Sequence, residues 1–182
     1  MKITWYGTAS ILLESEGERL LFDPFVELAG ASNPNNLEDF VQETDICITH
    51  GHVDHLFFIP EILEQADATV FATRAVMNTL EGWVEDTGCL VEVEPGYSWR
   101  QGNMRITVLK GKHTSFCAKT VFRKLLNPRL LRYFRNALFL AWAHPRFPEK
   151  GETAAYQIEA EGKRILLLGS MELDPDTVYP EN

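Results

Sequence analysis

The chain is poor in sulfur chemistry and has nothing built to cross a bilayer. Its three cysteines, Cys47, Cys89 and Cys117, are odd in number and lack CxxC spacing. That argues against a disulfide framework or a cysteine zinc site and reads as reduced cytosolic thiols. No apolar run approaches the ~20 residues a spanning helix needs. No Gly/Ser linker, repeat or low-complexity tract divides the 182 residues, and the N-terminus enters a strand-like segment without a signal-peptide pattern. The expectation is one cytoplasmic domain over 1–182, whose 45% hydrophobic residues suffice for a sizeable core. Histidine is scarce as well, and its distribution is the informative part: three of the five fall within Thr49-His50-Gly51-His52-Val53-Asp54-His55.

Imidazole and carboxylate are both ligands for divalent metals, so the offsets within that run carry weight. In an extended segment side chains alternate faces, which lets His50 and His52 share one ion. Asp54 and His55 follow at a bend that can aim them at the same ion or at a second one. The ligand types suit zinc first, and also manganese, iron or nickel. The competing reading is a polar loop whose histidines are turn residues. Asp45-Ile46-Cys47-Ile48-Thr49 ahead of the run reads as a buried strand ending at His50. In Leu56-Phe57-Phe58-Ile59-Pro60-Glu61-Ile62-Leu63-Glu64 behind it, Pro60 suits the first turn of a helix. The run therefore lies in a strand-to-helix loop, where a rigid scaffold can hold a site.

An HxHxDH run directly after a hydrophobic strand resembles the metallo-β-lactamase superfamily of metal-dependent hydrolases. Three further segments strengthen the likeness: Met1 to Gly7, Ser10 to Glu14 and Arg19 to Pro24 look like the first three strands of that fold. The resemblance is nearest to the branch containing ascorbate-6-phosphate lactonase. It implies an α/β fold, a four-layer αββα sandwich with metal loops on one edge of two packed sheets, here lacking its last C-terminal elements. It also assigns residues. His50, His52 and His113 match the first metal site, Asp54 and His55 the second.

Three departures from the family pattern stand out. A carboxylate bridging both ions is expected after the strand Arg164-Ile165-Leu166-Leu167-Leu168, but this chain has Gly169-Ser170-Met171-Glu172. Serine is a poor metal ligand, leaving Glu172 or Asp174 to compensate. Gly7-Thr8 stands where relatives often carry a histidine after the glycine. The family normally continues to a last histidine, whereas this sequence ends at Asn182, so a fragment of a longer protein is expected. His144 has no motif around it and reads as structural or solvent-facing, or as a substrate contact if its segment folds over the metals.

Elsewhere strand-like and helix-like pieces alternate, as in an α/β protein. Thr69-Val70-Phe71, Leu90 to Val93 and Met104 to Leu109 read as strands, Arg74 to Leu80 as a helix. Ala155 to Glu159 and Ile165 to Leu168 flank a Glu161-Gly162 hairpin turn. One segment breaks the charge pattern. Residues 114–148 contain Lys119, Arg123, Lys124, Arg129, Arg132, Arg135 and Arg146, while all 26 acidic residues lie outside. Leucines and aromatics interleave at helical spacing on either side of Asn127-Pro128. The segment reads as an amphipathic insertion with three competing roles. It is a helical pair with a solvated basic face, an arginine-bearing lid for an anionic substrate such as a phosphate ester, or a membrane-surface or nucleic-acid contact. The formal charge of −9 argues against broad nucleic-acid binding.

The expected function is a metal-dependent hydrolase in which metal-activated water attacks a small ester, lactone or phosphoester, with Asp54 the catalytic group orienting that water. The alternative is a degenerate metal-binding or regulatory module, for which Ser170 is the motive. A weaker third reading is redox chemistry at a di-iron centre.

Overall fold

The computed structural model describes residues 1–26, 35–42, 45–113, 134–148, 152–169 and 171–172. Strands β1 (Lys2–Gly7), β2 (Ser10–Ser15) and β3 (Glu18–Phe22) form an antiparallel meander. Three parallel strands, β4 (Asp45–Cys47), β5 (Val70–Ala72) and β6 (Leu90–Glu92), extend it to a six-stranded sheet. Both faces of its inner strands β2 to β5 are buried, and the two-residue period sorts side chains between them. Leu12, Leu21, Ile46, Val70 and Ala72 face one core, while Leu13, Leu20, Phe22, Cys47 and Phe71 face another.

Helices fill the first core. They are α1 (Val53–Leu56), α2 (Ile59–Leu63), α3 (Arg74–Leu80) and α4 (Phe134–Ala143). Leu56, Ile59, Ile62, Val76, Leu80 and Ala143 supply their apolar contacts. Pro60 sits in the first turn of α2, as expected. A separate one-turn α1 precedes it, so Asp54 and His55 lie in a helix where the sequence suggested only a bend.

The second core lies between the sheets. Strands β7 (Ser98–Gln101), β8 (Met104–Lys110), β10 (Ala154–Ala160) and β11 (Lys163–Leu167) form an antiparallel sheet in the order β11-β10-β8-β7. Alternate residues Met104, Ile106 and Val108 of β8, and Tyr156 and Ile158 of β10, point into that core. The β10–β11 hairpin turns at Glu161 and Gly162, both with positive φ (51° and 69°), the requirement of a tight two-residue hairpin turn. A short pair, β9 (Lys112–His113) with β12 (Met171–Glu172), completes the strands among the described residues.

The described residues thus build three layers of an α/β sandwich: helices, a six-stranded sheet and a four-stranded sheet. No helix among them is long and apolar enough to cross a membrane. The first half of the basic segment lies outside the described residues. In its second half α4 packs inward through Phe139 and Ala143.

Tyr156 ties the sheets together where it matters for the loop beyond β4. Its ring is fully buried against Phe22, and its hydroxyl donates across the core to the Ile48 carbonyl at 2.8 Å. Burial pushes its phenol well above the usual tyrosine range, with Cys47 and Asp23 adding to the shift, so it serves as a donor rather than an acid. Removing only this hydroxyl with Tyr156→Phe strands a buried carbonyl. The expected result is a loss of about 1–3 kcal/mol in urea unfolding with unchanged m-value.

Candidate functional site

The parallel strands β4 and β5 deliver their C-terminal ends to one edge of the sandwich, the edge at which β10 begins. Beyond β4 the chain stays extended through Ile48, Thr49 and His50, held by the Ile48 N–H to Phe71 carbonyl bond (3.0 Å) and the Ala154 N–H to Thr49 carbonyl bond (2.8 Å). His52 is still extended (φ −73°, ψ 155°) and caps α1. Val53 and Leu56 are buried in the helical core, which fixes the turn's rotation. That rotation carries His55 inward to full burial and leaves the Asp54 side chain 39% exposed.

The hub beneath this loop is Asp23, which in the sequence stands only at the end of a strand-like segment. Its carboxylate is wholly buried. Oδ1 accepts the Thr49 N–H at 2.8 Å and Oδ2 the Thr49 hydroxyl at 2.7 Å, while His55 Nδ1 stands 3.0 Å from Oδ2. Its backbone, in the left-handed region (φ 44°) that aspartate tolerates, donates from N–H to the Cys47 carbonyl and accepts the Ser10 hydroxyl at 2.6 Å. A signal for Asp23 exists in the sequence: an acidic residue continuing Leu20-Leu21-Phe22 into Pro24 is out of place in a core unless polar groups meet it.

This network assigns the imidazole tautomers. The Thr49 hydroxyl proton goes to Asp23, so Thr49 Oγ1 accepts from His50 Nδ1 at 3.0 Å and leaves His50 Nε2 with its lone pair. His55 donates Nδ1–H to Asp23, leaving Nε2 as its free donor atom. Burial pulls the pKa of His55 down, but the charge of Asp23, its hydrogen bond and the charge of Asp54 outweigh burial and hold the group above the usual histidine range.

The ring nitrogens converge. His50 Nε2 and His52 Nδ1 are 3.0 Å apart, and the His50 and His55 rings lie 3.9 Å centroid to centroid. Two nitrogens each about 2.0–2.1 Å from one tetrahedral ion stand roughly 3.3 Å apart, so the histidine pair suits a shared cation. His55 Nε2 is buried with no hydrogen-bond partner among the described residues, and Asp54 Oδ2 at 3.7 Å is beyond hydrogen-bond reach. A buried nitrogen without a hydrogen-bond partner, beside a carboxylate and the His50 imidazole, has the donor chemistry of a metal ligand. Among the described residues the donors meet in pairs, and no three of them close into a ready-made cage.

The remaining predicted residues are placed less completely. His113 lies in β9, its backbone registered against Met171, while its side chain is outside the described residues. Ser170 and Asp174 lie outside them as well, and Glu172 is placed only as the backbone partner of Lys112. The Gly169 turn nonetheless abuts the loop: with φ 58°, a Cβ there would stand 2.7 Å from Thr49 Oγ1. Only glycine allows so close an approach. His144 is exposed after α4. Cys47, beside Asp23, has its thiol pushed well up by burial, which makes it an inert core residue.

A family model described as a beta-lactamase superfamily domain matches residues 2–120. A UPF0173 metal-dependent hydrolase of Archaeoglobus fulgidus is 31% identical over 115 residues, covering 63% of this chain and 47% of that protein. One of Carboxydothermus hydrogenoformans is 39% identical over 80 residues, or 44% of this chain and 34% of that protein. The chain spans about half or less of the length of these curated relatives. Among solved structures, a metallo hydrolase from Ignicoccus hospitalis is similar with a TM-score of 0.58 at 17% identity, over 92% of this chain and 59% of that one. The diiron β-hydroxylase CmlA of Streptomyces venezuelae has a TM-score of 0.58 at 17% identity, over 95% of this chain and 30% of that one. These structural likenesses speak for the fold alone, a metallo-β-lactamase fold shared by differing chemistries. With the family model spanning more than half of its residues, the chain belongs to the beta-lactamase superfamily.

Proposed function

We propose that the loop from His50 to His55 binds divalent metal and that the protein hydrolyses a small, anionic ester, lactone or phosphoester. The observation carrying this reading is the convergence of His50 Nε2 and His52 Nδ1 at 3.0 Å beside the buried His55 Nε2, which has no hydrogen-bond partner among the described residues. In this reading His50, His52 and His113 hold one ion, and Asp54 and His55 a second. The donor set favours zinc and is compatible with manganese, iron or nickel. Bound metal supplies Lewis acidity and lowers the pKa of water toward about 7.

The chain's own residues supply orientation and proton transfer. Asp23 and Thr49 lock the His55 and His50 rings in the tautomers that expose Nε2. Asp54, partly exposed at the rim, accepts the proton of the attacking water at its carboxylate and orients that water. The names of the curated relatives support hydrolysis as the reaction class. The resemblance to the ascorbate-6-phosphate lactonase branch makes a lactone or phosphoester the substrate to test first. Ser170, at the expected bridging position, motivates the second reading of a degenerate metal-binding module.

Metal analysis of the purified chain, paired with a panel of lactones, phosphodiesters and thioesters, separates the two. About two ions per chain with turnover support the hydrolase. One ion or none, without turnover after reconstitution, supports the degenerate module. His52→Ala and Asp54→Ala are each expected to lower turnover at least ~100-fold while leaving the circular dichroism spectrum unchanged. Wild-type rates in metal-verified variants would refute the assignment.

Asp23→Asn tests the support beneath the loop. Three donors converge on this carboxylate, and an amide turns one acceptor into a competing donor. Metal affinity measured by competition with a chromophoric chelator is expected to fall about 10–100-fold. Protons compete with metal for the same nitrogen, and the raised pKa of His55 sets the sign. Apparent affinity is expected to fall as pH drops, starting above the ordinary histidine value of about 6.5. The same titration across pH checks it.

A further inference from the structure

In the second half of the acid-free segment, helix α4 and the turn after it combine exposed arginines with an exposed apolar stripe. Helix α4 turns Phe139 and Ala143 toward the helical core. Its outward side carries Phe134, Leu138 and Trp142, at i, i+4 and i+8, which are 57%, 63% and 40% exposed. Residues at that spacing fall on one stripe of a helix. Trp83, 39% exposed and edge-on to Trp142 with centroids 6.1 Å apart, prolongs the stripe onto the neighbouring turn. Arginines mark both ends. Arg135 follows Phe134, and the Arg146 guanidinium lies 4.6 Å over the Trp142 ring while donating to the Trp142 carbonyl at 2.7 Å. The patch stops at Trp83, after which the sequence turns acidic at Glu85 and Asp86.

We propose that the outward face of α4 is a docking surface for an anionic lipid bilayer. Three exposed large apolar side chains along one helical stripe, rimmed by guanidinium groups, form the pattern of a helix lying in the plane of a membrane interface. There aromatic rings enter the acyl boundary and arginine heads reach the phosphates. Charge selects the occupant. Among the described residues 134–148, Arg135 and Arg146 are exposed and no acidic side chain occurs, in a chain of formal charge −9. Two-fold pairing of a second copy through this face would set the same cations against each other. Nucleic acid offers anionic charge without an apolar layer to receive the stripe. The lipid surface offers both.

The test is co-sedimentation of the full chain with vesicles of phosphatidylcholine alone and of equal parts phosphatidylcholine and phosphatidylserine. The expected result is binding to the phosphatidylserine vesicles at low salt, weakened at about 0.15 M salt, where charges are screened beyond about 8 Å. Leu138→Glu is expected to reduce the partition coefficient about tenfold or more, because the leucine no longer leaves water. Replacing Arg135 by glutamine is expected to weaken binding about fivefold. Leu138 is exposed, and an unchanged thermal melt of the glutamate variant verifies folding. No binding at low salt overturns the proposal, as does equal binding by wild type and the folded Leu138→Glu variant. A wild-type dimer that Leu138→Glu dissociates assigns the face to a second copy and overturns it too.

Discussion

One buried carboxylate organises the edge of this molecule that carries the His50 to His55 loop. Asp23 sits where the last strand of the meander meets the first parallel strand, and its two oxygens receive the backbone and hydroxyl of Thr49 and face Nδ1 of His55. An anion in a core is costly unless donors surround it, by several kcal/mol for a carboxylate left unpaired. The fold meets that demand by making β3 and β4 parallel neighbours and starting α1 directly after the extended His50 to His52 segment. The same contacts that neutralise Asp23 set the orientation of two imidazoles. Stability and site geometry are therefore one problem here, solved by one residue.

Around that hub, the sandwich supplies rigidity from two sides. Strand β4 is buried on both faces, with Ile46 in one core and Cys47 in the other, so it cannot shift without disturbing both. The second sheet reaches over to hold the same strand end, through the Tyr156 hydroxyl on the Ile48 carbonyl and the Ala154 N–H on the Thr49 carbonyl. The Gly169 turn closes against Thr49 from the β11 side. A donor set for a metal needs such support, because imidazole rings held only by a flexible loop would lose the convergence seen between His50 and His52.

Charge and hydrophobicity are segregated along the chain in a way that packing alone does not require. Phe57, Phe139 and Phe147 form edge-on ring contacts between α1 and α4, so the element bearing Asp54 and His55 adjoins the aromatic helix. The inward side of α4 thereby serves the core, and its outward stripe is left over from the needs of folding.

The sequence by itself determined most of the strands, the hairpin turn at Glu161 and Gly162, and the concentration of ligand-type residues from His50 to His55. Those features are local: side-chain period, turn chemistry and ligand spacing are properties of a few adjacent residues. It also marked 114–148 as a segment of unlike charge. Only the tertiary structure decided that Asp23 belongs beneath the site, 26 residues from Thr49, and that Tyr156 reaches Ile48 from 108 residues away. It likewise decided which side of α4 stays exposed. None of these has a periodic signature, because each depends on which strands become neighbours and on a polar group finding its partner once water has been expelled.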